Sequence, residues 1–487
     1  MKLLKDILYK AGMLEVVGPL NMAVENIHLD SRKVTSFSLF TAVRGTLVDG
    51  HEFIAKAIEK GAVAVICEEF PSEMKSGITY VRVNDTSQAL GQIASNFYDN
   101  PSSQLNLVGV TGTNGKTTTV TLLFKLFSAL GYKCGLISTV VNRIGRKILD
   151  STHTTPDAIS LQRLYRQMVD AEVTHCFMEV SSHAIHQRRI AGTEFNVAVF
   201  SNITHDHLDY HGSFDEYIKA KKLFFDELPR NSFALINQDD PHGEIMVQNT
   251  RSKIYYYAIR SMADFRARII ENQFSGLHLL MDGNDLYSRL VGGFNAYNLL
   301  AVYSTAIILE EDKLSVLTAL SQLDSVEGRF QYLSTTKKII AIVDYAHTPD
   351  ALKNVLKTIQ EVRTGNEKVI TVVGCGGDRD KAKRPIMAAV ACEFADKVIL
   401  TSDNPRSEKA EQIIADMQAG VEGQHYKKTL SIVDRKEAIR TACAMADPGD
   451  IVLVAGKGHE KYQEISGERF PFDDFKILGE TLKTLED

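Results

Sequence analysis

Leu105-Asn106-Leu107-Val108-Gly109-Val110-Thr111-Gly112-Thr113-Asn114-Gly115-Lys116-Thr117-Thr118 reads as a buried strand, a glycine-rich turn and the start of an apolar helix that continues to Leu130. Glycine lets backbone N–H groups turn toward an anion without a Cβ in the way. The helix that follows adds the partial positive charge of its N-terminus. The stretch predicts a nucleoside-triphosphate loop of Gly112, Thr113, Asn114, Gly115, Lys116, Thr117 and Thr118. Lys116 would bridge the β- and γ-phosphates, and the Thr117 hydroxyl would ligate Mg²⁺. The general pattern of such loops puts its first glycine at position 110, where this chain has valine; Gly112 takes that part. The plainer alternative is a turn that only joins strand to helix. The motif specifies a triphosphate and leaves the phosphate acceptor open.

Upstream, Asp99-Asn100-Pro101-Ser102-Ser103 is rich in turn formers and marks a boundary. Downstream, a second break falls near Glu327-Gly328-Arg329. These cuts give segments 1–103, 104–332 and 333–487, within the two to four domains that 487 residues imply. The first mixes short strands at 62–67 and 80–83 with helical stretches. The third alternates apolar strands at 339–345, 369–374, 397–401 and 451–455 with amphipathic helices, the pattern of a covered parallel sheet. The expected fold class is α/β. Each of the four strands runs into a polar cluster: DYAH, GCGGDRD, SDNPR and GKGHE. Ligands of open α/β sheets gather at the carboxyl ends of strands, so the four clusters predict one site.

Hydrophobic content of 44%, charged content of 24% and a net charge of −6 suit a globular protein and give no footprint for nucleic acid or an anionic membrane. Local basic clusters at 219–222 and 379–384 read, taken alone, as solvated faces. The first residues, MKLLKDILYKAGML, are too short and too interrupted by charge for a signal peptide, and no apolar run approaches a membrane span. Six scattered cysteines without a CxxC pair point to buried free thiols in a reducing cytoplasm.

A second polar cluster follows the loop. Residues 177–183, FMEVSSH, read as a strand ending in polar groups; the strand at 197–200 runs into SNITHDHLDYH. His205, His207 and Asp209 have the HxHxD spacing of zinc hydrolases, whose open position activates water. The other reading is a Mg²⁺–ATP site in which Glu179 and one histidine hold the metal, although Mg²⁺ prefers oxygen ligands. The upstream loop favours Mg²⁺, because a triphosphate already demands a divalent cation. A helix beginning at Tyr217 carries Lys221, which the residues alone do not single out.

Taken together, GTNGKTT, MEVSSHAIHQRR, SNITHDHLDYHG, YIKAK, GGFNAYN, VEGRF, DYAHTPD, GCGGDRDKAKRP, SDNPR and AGKGHE resemble, in order and spacing, the Mur ligase family over essentially the whole chain. The resemblance implies three α/β domains: 1–103 holding the UDP end of the substrate, 104–332 a P-loop-type ATPase with a mainly parallel sheet, and 333–487 a Rossmann-like domain bringing the amino acid. It implies a cytoplasmic, ATP- and Mg²⁺-dependent enzyme of peptidoglycan precursor synthesis, a monomer without nucleic-acid partners. The branch implied adds meso-diaminopimelate to UDP-N-acetylmuramoyl-L-alanyl-D-glutamate.

Carried over residue by residue, Leu29, Ser31 and Thr46 would contact the nucleotide-sugar. Thr154, Thr155, Ser181, Gln187 and Arg189 would hold the sugar-peptide, with His153 standing where the family often has asparagine. Lys116, Glu179, His207 and Lys221 would be catalytic. Thr117, Glu179 and His207 would bind Mg²⁺, with Lys221 joining them as its carbamate; a lysine near other cations can present a neutral amine to CO₂. Asn295, Asn298, Arg329 and Asp344 would complete the ATP site. Arg379, Asp403, Asn404, Pro405, Arg406, Gly456 and Glu460 would form the diaminopimelate pocket.

The DNPR stretch has a direct physical reading. Diaminopimelate differs from lysine by a distal carboxylate, which a planar guanidinium grips bidentately. The same guanidinium repels the ammonium of lysine. The remaining alternatives are the zinc hydrolase, a nucleotide binder without catalysis, and, within the family, lysine addition or folate polyglutamylation.

Overall fold

Most of the expected strands form where runs of Val, Ile, Leu and Ala are long enough to be buried on both faces. The computed structural model describes residues 1–45, 48–151 and 153–486, with the side chains of Asp209 and Glu486 outside that description. Thr46, one of the expected substrate contacts, lies outside the described residues. The chain divides into two units. One comprises Met1–Gly112, Leu123–Ser201 and Asp215–Tyr256; the other comprises Thr113–Leu122, Asn202–Phe214 and Tyr257–Asp487.

The first unit opens with a five-stranded sheet ordered Met13–Val17, Thr79–Val83, Ala62–Cys67, Ser38–Thr41, Asn26–His28, antiparallel only in its first pair. Leu39, Ala64, Ile66, Val81 and Val83 pack one face with Ile7, Ile93 and Ala94, while Phe40, Val65 and Tyr80 pack the other with Ile54 and Ala57. The alternation follows from the two-residue period of a strand. Next come Cys134–Ile137, His175–Glu179, Asn106–Thr111, Val197–Phe200 and Phe233–Asn237, neighbours in that order and all parallel. Helix Ala158–Asp170 starts sharply because the Asp157 carboxylate accepts from the N–H groups of Ile159 and Ser160.

The second unit is dominated by a six-stranded sheet ordered Gln331–Ser334, Ile340–Asp344, Ile451–Ala455, Val369–Cys375, Lys397–Ser402, Thr429–Ser431. Only its first pair is antiparallel. Val373, Val398, Leu400 and Leu453 face one helical layer; Ile370, Val372, Ile399, Val452 and Val454 face the other. Helix Pro349–Val362 begins at a Thr348 cap with proline in its first turn, where a missing N–H costs nothing.

Two elements depart from the sequence reading. The helix expected from Tyr217 is Phe214–Asp226, because Asp215 and Glu216 are well placed in a first turn against the helix dipole. A hairpin, Tyr462–Ile465 with Glu468–Pro471, follows the GKGHE stretch, where the sequence pattern gives no strand. All six cysteines are free and buried. Among the described residues, no helix is long and apolar enough to cross a membrane.

Candidate active site

Within the first unit, parallel register brings three strand ends to one edge, where Glu179 pairs with Val110 and Phe200 with Thr111. Glu179 is 1% exposed. One of its oxygens accepts from the Thr139 N–H at 2.8 Å and the other from the Thr139 hydroxyl at 3.2 Å. Thr139 Oγ1 lies 3.0 Å from Thr154 Oγ1. Thr155 donates to the Glu179 carbonyl at 2.8 Å and accepts from the Ser181 N–H at 3.2 Å. Arg189 donates to the Thr155 carbonyl at 2.9 Å and grips Gln187 Oε1 at 2.6 and 3.0 Å. Five expected residues, Thr154, Thr155, Ser181, Gln187 and Arg189, thus form one connected group around Glu179. Leu29 is exposed, Ser31 sits buried in a short turn capped by Asp30, and His153 is exposed; no described hydrogen bond joins Leu29 or Ser31 to that group.

Lys221 is 1% exposed, and its ammonium donates to the Gly112 carbonyl at 2.9 Å while lying 4.7 Å from the Tyr217 ring centre. The structure therefore brings to the start of the glycine-rich turn a lysine that the residues alone did not single out.

In the second unit the loop is braced by Asn202. Its carbonyl accepts from the Thr113 N–H at 2.8 Å and its Oδ1 from the Asn114 N–H at 2.9 Å. Gly115 has φ +88°, a conformation costly for any side chain. Lys116 folds back onto the Thr113 carbonyl at 2.8 Å. Arg329 donates to the Thr117 hydroxyl at 3.0 Å, and its guanidinium lies 4.7 Å from the Tyr345 ring centre. Asn298 meets Thr119 at 3.4 Å and donates to Asn295 Oδ1 at 3.0 Å. Asp344 is fully engaged by the Phe330 and Ala346 N–H groups; burial pushes its carboxyl up, against the pull of Arg329. Asp350, unforeseen, ties Asn114 at 3.2 Å to Thr204 at 2.8 Å.

Of the HxHxD residues, the Asp209 side chain lies outside the described residues. His205 stacks on Phe214 with ring centres 4.3 Å apart, and His207, at φ +54°, lies 3.6 Å from Asp206. Among the described residues, no three His, Cys, Asp or Glu gather as a metal-binding group.

At the carboxyl ends of Lys397–Ser402 and Ile451–Ala455 several of the residues expected to hold the amino acid come together. Asn404 is 2% exposed and donates to Glu460 Oε2 at 2.7 Å. Burial pushes the Asp403 carboxyl up, but Lys457 and Arg435 outweigh it and hold it below the usual range. Burial and the neighbouring Asp403 leave the Glu460 carboxyl raised, against Lys457 and Asn404. Gly456 has φ +117°, and a Cβ there would stand 2.7 Å from Asp403 Oδ2. Pro405 is buried and Arg406 half-buried at φ +52°. Arg406 N–H bonds to Glu464 and its guanidinium donates to the Gly377 carbonyl at 2.6 Å; among the described residues it makes no ion pair. Arg379 is exposed, and both arginines flank Gly376.

Three family models match in succession: "Mur ligase family, catalytic domain" at residues 23–98, "Mur ligase middle domain" at 110–306 and "Mur ligase, glutamate ligase domain" at 328–458. A UDP-N-acetylmuramoyl-L-alanyl-D-glutamate--2,6-diaminopimelate ligase of Cytophaga hutchinsonii is 59% identical, with 99% of each chain covered. The chain belongs to the Mur ligase family. A ligase of the same name from Bacteroides thetaiotaomicron is 53% identical over 98% of this Mur ligase and 99% of the relative. A solved structure carrying that name superposes with a TM-score of 0.71 at 32% identity, covering 100% of this chain and 99% of the other. The Thermotoga maritima MurF ligase in complex with ADP shares the fold, with a TM-score of 0.61 at 18% identity over 95% and 97% of the two chains. Family membership decides against the hydrolytic zinc reading. Sequence reasoning missed Thr139, Asn202, Asp350 and Lys457; Asn202, Asp350 and Lys457 lay inside stretches already picked out, SNITHDHLDYHG, DYAHTPD and AGKGHE, and only Thr139 lay outside them.

Proposed function

We propose that this Mur ligase joins meso-2,6-diaminopimelate to the D-glutamyl carboxylate of UDP-N-acetylmuramoyl-L-alanyl-D-glutamate, driven by ATP, in cytoplasmic synthesis of peptidoglycan precursor. The observation that carries the amino-acid choice is a pair of arginines, Arg379 and Arg406, with no carboxylate of their own among the described residues, beside an acidic Glu460 at the strand ends. A substrate with an ammonium and a distal carboxylate complements that charge pattern. The relatives' names agree with this reading.

The family matches at 23–98 and 110–306 fall inside 1–103 and 104–332, which supports those limits for the UDP-substrate and ATPase domains, while the third, at 328–458, begins five residues before 333 and lies otherwise within the amino-acid domain. Gly112 to Thr118, with Asn295, Asn298, Arg329 and Asp344, serve ATP. Leu29, Ser31, Thr46 and His153 join the Thr154–Arg189 group in holding the UDP-substrate. The donor set suits Mg²⁺: the Thr117 hydroxyl, the Glu179 carboxylate and a carbamate on Lys221 offer oxygen, and His207 adds a nitrogen. When bound, Mg²⁺ neutralises charge on the triphosphate.

A carboxylate does not condense with an amine in neutral water. The D-glutamyl carboxylate attacks the γ-phosphorus and ADP leaves, giving an acyl phosphate. Lys116 swings from the Thr113 carbonyl onto the transferring phosphoryl group, whose charge it balances. The neutral amine of diaminopimelate attacks the acyl carbon, phosphate leaves, and the amide nitrogen gives up a proton. Exclusion of water protects the acyl phosphate. The test is ADP release with each substrate omitted in turn. One ADP per amide, dependent on both substrates, supports the reading; ADP release without amide formation overturns it.

A further inference from the structure

Lys457 is 0% exposed, yet it carries an ammonium. A buried charge persists only when its donors are taken up. The Lys457 ammonium donates to Asn404 Oδ1 at 2.8 Å and to Glu460 Oε2 at 3.1 Å. Asn404 in turn donates from Nδ2 to the same Glu460 oxygen at 2.7 Å, and its Oδ1 also accepts from the Glu464 N–H at 3.0 Å. The three side chains close a ring: lysine to amide, amide to carboxylate, lysine to carboxylate. Glu460 Oε2 is saturated by this ring, while Oε1 has no hydrogen-bond partner among the described residues and the side chain keeps 16% exposure. One carboxylate oxygen is anchored inward and the other is presented outward.

We infer that Lys457 is a positioning residue for the amino-acid substrate, fixing Asn404 and Glu460 so that Glu460 Oε1 meets the substrate's ammonium. The inference rests on the amino-acid pocket proposed above. Its charge logic is specific. Asp403, Glu460 and Lys457 together carry one net negative charge, the complement of a single ammonium. Without Lys457, two carboxylates would share the site, and like charges at short range favour protonating one of them. The groups facing Glu460 are Asp403, which opposes its ionisation, the Lys457 ammonium and Asn404 amide, which favour it, and the Tyr345 and Tyr462 phenols and Arg435 guanidinium beyond. Burial already raises the Glu460 carboxyl, and losing Lys457 raises it further.

The experiment is a double-mutant cycle on the full chain, reading kcat and KM for diaminopimelate between about pH 6 and 9 in wild type, K457M, E460Q and the double variant. K457M should raise the KM for diaminopimelate about tenfold or more, as expected for loss of a charge-assisted hydrogen bond. The ATP KM should stay within about twofold, and the acid limb of kcat/KM should move to higher pH. In the E460Q background the same substitution should cost far less and move no limb, because the carboxylate it serves is gone. An equal loss in both backgrounds, or a K457M enzyme with unchanged diaminopimelate KM and acid limb, overturns the inference. Should K457M fail to bind ADP, K457Q takes its place, keeping a donor without the charge: its acid limb must rise, and an unmoved limb overturns the inference in the same way. Failure of the wild type to ligate diaminopimelate would instead remove the functional reading itself.

Discussion

At the glycine-rich turn, the groups that await a ligand are backbone N–H donors and one lysine. Asn202 braces two of the amides, and Lys116 rests on a carbonyl of its own loop. At the ends of Lys397–Ser402 and Ile451–Ala455, the groups are side-chain charges whose partners the fold supplies: Lys457 pairs with Glu460 and reaches Asn404, Arg406 reaches the Gly377 carbonyl, and Lys457 and Arg435 hold Asp403 ionised. A phosphate site made of main chain needs only a spacing, GTNGKT, before a helix. A site that must tell one amino acid from another needs fixed charges, and fixed buried charges need a fold to pair them.

The largest effect that separates the two regions is expected at Lys116. Because Asn202 rather than Lys116 holds the loop, Lys116→Ala should leave the thermal midpoint within a few degrees while turnover falls on the order of 10²-fold or more. Near-normal ligation would remove the phosphate-loop assignment. Lys221 tests the edge of the same region. Its buried ammonium touches the Gly112 carbonyl, so Lys221→Ala should be nearly inactive and partly rescued by acetate, which supplies the anion a carbamate would. Lys221→Arg with full activity would refute the carbamate, since arginine stays cationic.

The amino-acid region should break more gently and more selectively. Arg406→Ala should lower kcat/KM for diaminopimelate by about 10- to 150-fold, the equivalent of roughly 1.5–3 kcal/mol for a charged hydrogen bond. The change should lie mainly in KM, with ATP and UDP-substrate constants little altered and lysine use not falling in parallel. Equal losses for both amino acids would make Arg406 a support of the fold.

The smallest effect is on acid stability. Arg384, fully buried, donates to Glu408 at 2.8 and 3.0 Å, and Glu408 accepts from the Asp378 N–H at 2.7 Å, latching the GCGGDRD loop to the DNPRSE loop. The Arg384 guanidinium holds the Glu408 carboxyl down to about 2 from an ordinary 4.5. That stabilisation is complete above the ordinary value and is lost as pH falls through the folded one. Glu408→Gln should therefore unfold at lower temperature than wild type at pH 7, with the gap closing between about pH 4.5 and 2. A gap that persists at pH 2 would mean that packing, not charge, sets it.

The same contrast explains how far the sequence could be read. The strand at 197–200 and the strands opening at 369, 397 and 451 form where apolar runs predicted them, because a run of Val and Ile with polar ends has few alternatives. The phosphate loop was legible in one glance. Lys221 was not: a lysine on an amphipathic helix looks like surface until parallel register brings Gly112 to it. Asn202, Thr139 and Asp350 were invisible for the same reason, since a brace is defined by what it reaches. Lys457 sat in a stretch already singled out, yet nothing local says that its ammonium turns inward to Asn404, 53 residues away. The family resemblance supplied what spacing could not, including the expectation that Arg406 takes a distal carboxylate.

The central claim is that this ligase selects diaminopimelate by its second carboxylate. The most direct measurement gives the wild-type chain ATP, Mg²⁺ and UDP-N-acetylmuramoyl-L-alanyl-D-glutamate with diaminopimelate and lysine in the same vessel, and resolves the two amide products by mass. The account predicts the diaminopimelate product in excess of at least about tenfold, with one ADP released per amide formed. Comparable yields of the lysine product, or ligation of lysine alone, would contradict it.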